Sequence, residues 1–105
     1  MLQSEFHPEA QEEYLAAIRW YGDKESGLGS IFQQSVERMI LSLRKWPESS
    51  PVWPGWDRLP IVHAAHLPGS WPFRIVYFVQ GDNLVVVAVA HDKRVPGYWQ
   101  DRVPQ

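Results

Sequence analysis

The chain has no cysteine. That excludes disulfides and thiolate metal sites and fits a reducing compartment. No stretch reaches the ~18 uninterrupted apolar residues of a membrane helix, so no membrane span is expected. The opening residues, Met1 to Pro8, lack a basic region followed by an apolar one. A secretory leader is therefore not expected, and the expected location is cytoplasmic. Repeats and low-complexity tracts are also missing. Nor does one sign of charge dominate: 10 Lys/Arg stand against 12 Asp/Glu, a net charge of −2. A general nucleic-acid binder would be strongly basic, so charge argues for a local site rather than a broad electrostatic footprint.

What is present reads as one domain, residues 1–105, of ordinary globular composition: 45% hydrophobic and 21% charged. A chain this short buries roughly 60–65% of its unfolded surface, enough for a modest core. The charge is unevenly placed. Residues 1–57 carry 5 Lys/Arg and 9 Asp/Glu, residues 58–105 carry 5 and 3, so −4 and +2 make up the total. The basic half suits an anionic partner.

Ser4 to Phe6 reads as a short edge strand. Pro8 then suits a first helical position, with His7 near the N-cap and Glu9, Glu12 and Glu13 favoured by the helix dipole. Ala10, Tyr14, Ala17, Ile18 and Tyr21 form one helical stripe, ended by Gly22 or by Ser26-Gly27. A second helix starts near Leu28 to Ser30 and runs to Trp46, where Pro47 stops it. Its apolar face is Ile31 or Phe32, then Val36, Met39, Ile40 and Leu43. The short connection predicts an antiparallel helical hairpin. Glu48 to Pro60, rich in proline and holding Trp53 and Trp56, reads as a rigid extended loop.

Three strand-like runs follow: Ile61 to Leu67, Phe73 to Gln80 and Leu84 to His91. Gly81-Asp82-Asn83 signals a hairpin between the last two. Val85, Val86, Val87 and Val89 make the final strand apolar on both faces, which predicts a central place in the sheet. The expected fold is α+β: an N-terminal strand, then a helical hairpin packed on a small, mostly antiparallel sheet, in the order β-α-α-β-β-β.

The most informative segment is His91 to Arg102, which leaves the end of that apolar strand. A simple turn would carry Gly, Asn, Ser and Asp. This one carries cations, aromatics and an imidazole. Lys93 and Arg94 are read as holding a phosphate or an acidic partner surface, against the plainer reading of two solvated loop cations. Arg74 shares a strand face with Val76 and Phe78; it either pairs with Asp92 or Asp82, or faces the same surface as Arg94. Tyr98 and Trp99 either stack on a base or fill a partner pocket, or Trp99 pins the tail to the sheet. Trp53 and Trp56 either form a partner-contact patch or, the favoured reading, cover one end of the core. His63 and His66, three apart, point to opposite faces of a strand, so no metal site is expected. No cofactor is expected either.

Three stretches together carry a resemblance: Phe6 to Ala10, Trp71 to Tyr77, and Val87 to Trp99. On these the chain resembles the RelE/ParE superfamily of bacterial type II toxins, closest to the ParE-like plasmid-stabilisation branch. The resemblance implies a growth-arresting toxin silenced by a cognate antitoxin, possible hetero-oligomers of the two, and DNA gyrase as target. Arg74, Lys93, Arg94, Tyr98 and Trp99 are then the expected target-binding residues. An antitoxin helix on the hairpin, followed by an extended piece along the sheet, is expected to meet Tyr14, Ile18, Tyr21, Phe32, Val36 and Arg74.

The alternative is ribosome-dependent mRNA cleavage of the RelE kind. Arg74 and Arg94 match basic positions of those toxins, and His91 with Tyr98 would supply base and acid. Yet Leu59 to Leu67 contains none of the lysines those toxins carry there, and a histidine at a strand end more often satisfies backbone groups. The resemblance therefore favours inhibition by binding, with an inactive, antitoxin-binding form as a third reading.

Overall fold

The first helix begins where proline permits it and histidine caps it. In the computed structural model, which describes all residues from Met1 to Gln105, β1 spans Gln3–Phe6 and α1 spans Pro8–Lys24. The His7 Nδ1 accepts the Glu9 N–H at 3.1 Å, satisfying one orphan donor of the first turn. α2 covers Leu28–Lys45 and stops ahead of Pro47. Three strands follow, β2 (Val62–His66), β3 (Phe73–Gln80) and β4 (Asn83–His91), then a final 3-10 turn at Gln100–Arg102. The expected β-α-α-β-β-β order is the observed one.

The sheet order is β1-β4-β3-β2. β1 runs parallel to β4, and the other two pairings are antiparallel. β4 is therefore central, as its apolar run predicts. Both faces of the sheet are covered. The helical hairpin packs on one, where Phe32, Val36 and Leu43 meet Ile75, Tyr77, Leu84 and Val86. The C-terminal segment covers the other, where Trp99 and Val103 meet Val62, Val76, Phe78, Val87 and Ala88, with Trp53 and Trp56 alongside. Each layer removes apolar surface from water at about 25 cal/mol per Å², which is what lets so short a chain hold its sheet.

Phe32 and Val36 are 0% exposed, which corrects their expected role as antitoxin contacts. Phe32 lies within 5.1–6.4 Å, centroid to centroid, of Tyr14, Tyr21, Trp71 and Phe73. Both residues are interior because the apolar stripe of α2 is needed to cover the sheet, which leaves neither side chain a surface to offer.

β4 contains a bulge. Val76 pairs with Ala88 but Tyr77 pairs with Val86, so Val87 is an extra residue. The bulge switches the alternation: Val87 and Ala88 both face the C-terminal layer, while Val89 joins Leu84 and Val86 on the helical side. Strict period-two reading would put Val89 and His91 with Val87. His91 instead sits edge-on to Phe73, at 5.0 Å between rings.

The two helices approach closely at Gly29. A Cβ there would lie 2.5 Å from the Ile18 carbonyl oxygen, a backbone atom with little room to yield. Gly29→Ala is expected to destabilise by about 1–2 kcal/mol, overpacking outweighing the gain of roughly 1 kcal/mol in helix propensity. Gly22, on α1, has open space around it. Gly22→Ala is expected to stabilise by about 0.5–1 kcal/mol, and urea unfolding of the two variants checks the opposite signs.

Candidate functional site

β4 ends at His91, and the chain then turns tightly. The Arg94 N–H returns to the His91 carbonyl at 3.0 Å, and the Asp92 N–H to the Pro72 carbonyl at 2.9 Å. The imidazole of His91 takes part as well, its Nδ1 accepting the Lys93 N–H at 3.0 Å. It thus satisfies backbone at a strand end. Gly97, at φ 81°, completes the turn that brings Tyr98 and Trp99 back over the sheet.

This turn gathers most of the expected site. Arg74, His91, Arg94, Tyr98 and Trp99 all border one small cavity of about 50 Å³, with Asp92, Pro96 and Gly97 on its rim. Lys93 is exposed but lies outside that lining. Arg74 pairs with Asp92 at 3.7 Å, one of the two partners its strand position allows. His66 approaches the other oxygen of Asp92 at 3.4 Å. These contacts are exposed and contribute little to stability. They leave Arg74 and Arg94, with side chains 48% and 54% exposed, on either side of one concavity.

Trp99 is a correction. Its side chain is 1% exposed and packs against Trp53 and Trp56, with ring centroids at 5.0 and 5.8 Å. It pins the tail to the sheet, because a large indole stabilises more by burial than it would in solvent, and a target cannot touch it. Tyr98 is half-buried and occupied: Arg94 rests 3.9 Å from its ring centroid and Arg102 5.1 Å, a cation–π arrangement. Its hydroxyl donates to Glu13 Oε2 at 2.7 Å. Burial, then the hydrogen bond and charge of Glu13, push its pKa above the ordinary tyrosine value despite the two arginines. Such a phenol holds its proton rather than giving it up.

Sequence reasoning missed Glu13 and Arg102 as site residues. Glu13 reads along the chain as a helix-dipole carboxylate, yet it meets four groups of β4 and the C-terminal segment. It accepts from the Val89 N–H at 3.1 Å, the Tyr98 hydroxyl and Arg102 Nη2 at 3.1 Å, and lies 4.0 Å from Arg94. Burial alone would lower the Arg102 pKa; the hydrogen bond and charge of Glu13 outweigh it, and the net shift is upward. The available signal was Glu9 and Glu13, four apart on one helix face, both of which meet Arg102.

A second, larger groove of about 620 Å³ lies between α1 and the end of β4. Ala16, Ala17, Trp20, Tyr21, Phe73 and Val89 line it, and Glu13, His91 and Arg94 are shared with the turn. Tyr21 therefore belongs to this groove. Tyr14 lies in a separate depression with Phe6, Gln33 and Arg44, and Ile18 packs partly buried against the helical core.

The half-buried phenols predict a response to alkali. Burial, followed by the nearby charge of Glu37, pushes Tyr14 up to about 12, and Tyr98 is raised as well. An unfolded tyrosine ionises near pH ~10. The stability tied to these groups is intact below that pH and is lost as pH rises through the folded values. The urea midpoint is expected to fall between pH 8 and pH 11, with a shallower fall in Tyr98→Phe; equal midpoints at both pH values would contradict it.

Comparison with known proteins gives the family and the fold. The family described as ParE toxin of type II toxin-antitoxin system, parDE, matches residues 5–96. No curated protein sequence matches. Among solved structures, the chromosomal ParDE toxin-antitoxin system from P. aeruginosa is similar in fold, at 15% identity and a TM-score of 0.56. That similarity covers 87% of this chain and 96% of the other.

Proposed function

The chain belongs to the ParE toxin family of type II toxin-antitoxin systems, and we propose that it arrests growth by binding, with DNA gyrase as its target and a cognate antitoxin as its silencer. The observation that carries this reading is Arg94: a half-exposed guanidinium in the tight turn after β4, seated on an aromatic ring and bordering one concavity with Arg74. A fork of donors presented this way suits carboxylate or phosphate groups of a macromolecular surface. Catalysis draws less support. His91 is engaged with backbone and the Tyr98 hydroxyl with Glu13, so neither imidazole Nδ1 nor phenol stands ready to move a proton.

The antitoxin reading rests on apolar surface left uncovered. Trp20 and Ile31 are 56% and 55% exposed, and Leu15 and Leu41 43% each, all on the helical hairpin. They border different depressions, Trp20 the groove beside β4, Ile31 one with Arg38 and Trp71, and Leu41 one with Tyr14 and Arg44, and the Trp20 groove, with its apolar floor, is the one proposed for the antitoxin. The groove beside Trp20 runs along α1 to Val89 and His91 at the end of β4, so an extended segment entering it meets an apolar floor. Tyr14, Ile18 and Tyr21 remain partly accessible for that contact. Both partners would meet in the cytoplasm, where gyrase works.

Three measurements test the proposal. Induction of the chain alone should stop bacterial growth, and co-expression of the adjacent small reading frame should restore it. Purified chain should reduce supercoiling by gyrase in vitro. New 5′ ends within coding regions after induction, together with normal supercoiling, would replace this reading with mRNA cleavage.

A further inference from the structure

β4 outruns its parallel partner. β1 pairs from Gln3 to Phe6, opposite Asn83 to Val86, while β4 continues to His91. Beyond Val86 the outer edge of β4 has no strand beside it, and the bulge at Val87 disturbs the ladder at the same point. Backbone groups left unpaired on a half-buried edge are costly.

Side chains from opposite ends of the chain meet that need. Arg102 Nη1 donates to the Val87 carbonyl at 2.9 Å, and Glu13 Oε1 accepts the Val89 N–H at 3.1 Å. The two are joined to each other, Arg102 Nη2 to Glu13 Oε2 at 3.1 Å. Both are largely buried, with side chains 8% and 16% exposed. The Arg102 Nε, itself buried, has no partner. The guanidinium is thus placed for its two outer nitrogens, on Val87 and Glu13, at the expense of the third.

We infer that Glu13 and Arg102 are positioning residues: they staple the turn after β4 to α1 and so fix the Tyr98 ring on which Arg94 rests. The connection is continuous. Glu13 holds the Tyr98 hydroxyl at 2.7 Å, and the ring holds Arg94 at 3.9 Å. The inference deepens the proposed role of the Arg94 surface and rests on it. Pre-placing a flexible arginine reduces the ordering cost when a partner binds.

Glu13→Gln in the full chain is the first test. The amide keeps the size and can still accept from Val89, but it removes the charge facing Arg94 and one of the two facing Arg102, leaving Glu9 at 3.2 Å. The melting temperature is expected to stay within about 5 °C. Amide exchange across Arg94 to Tyr98 should accelerate roughly tenfold, and target binding and killing should weaken roughly tenfold. Arg102→Lys, which keeps charge but loses the fork, should act in the same direction. Unchanged exchange in a folded Glu13→Gln protein overturns the inference, and so does faster exchange with undiminished killing while Arg94→Ala abolishes it. Should Glu13→Gln unfold, Tyr98→Phe decides, since it removes only the hydroxyl that Glu13 holds. Wild-type exchange and killing in that variant would reject the staple. If Arg94→Ala itself leaves killing intact, the role of the surface fails instead, and the exchange data judge the staple separately.

Discussion

Arg94→Ala is expected to abolish growth arrest on induction while the protein stays folded. The side chain is half exposed, its ion pair to Glu13 is long at 4.0 Å, and its other contact is the Tyr98 ring. Exposed contacts of these kinds are worth about 0.5–1 kcal/mol each, so the change in stability should be near 1 kcal/mol. The loss in binding should be far larger. Removing one partner of a desolvated charge pair at an interface costs about 2–5 kcal/mol, roughly 30-fold or more in affinity. Arg94→Lys keeps the charge without the bidentate fork and should fall between the two. Viable counts after induction, read beside a thermal melt of each variant, separate binding from folding. Undiminished killing by a folded Arg94→Ala protein would remove this surface from the mode of action.

Trp99→Ala should have the largest effect on stability. The indole is 1% exposed and closes the second layer between Trp53, Trp56 and the sheet. Truncating a buried tryptophan costs about 3–5 kcal/mol, against a total near 5–15 kcal/mol for a domain of this size. The melting temperature should fall by about 15–25 °C. Trp46, 68% exposed, is the control, and Trp46→Ala should change stability by no more than about 0.5 kcal/mol. Toxicity of the Trp99 variant should follow its folded fraction, because Trp99 is buried and holds the tail. A Trp99→Ala protein that melts like the unmodified chain would mean that the second layer does not hold the tail.

The elements were readable because their signals are local. Pro8 and His7 start α1, Pro47 ends α2, and the Gly81 hairpin joins β3 to β4. Period alone separated Phe73, Ile75 and Tyr77 from Val76 and Phe78, and the structure keeps those sets on opposite faces. The same reasoning fell short for Phe32, Val36 and Trp99. A helical stripe or a terminal aromatic has the same sequence signature whether it meets the chain's own core or a partner. Burial decides that, and burial depends on everything packed around it.

By itself the sequence determined the order and kind of elements, the central place of β4 and the cationic, aromatic turn that leaves it. Each follows from propensities and periods acting over a few residues. The tertiary structure alone decided that an extra residue in β4 turns Val89 and His91 to the helical side. It also decided that Glu13 meets Arg102, 89 positions away. Such pairings depend on strand register and on where a short partner strand stops, and neither quantity is written in the spacing of any one segment.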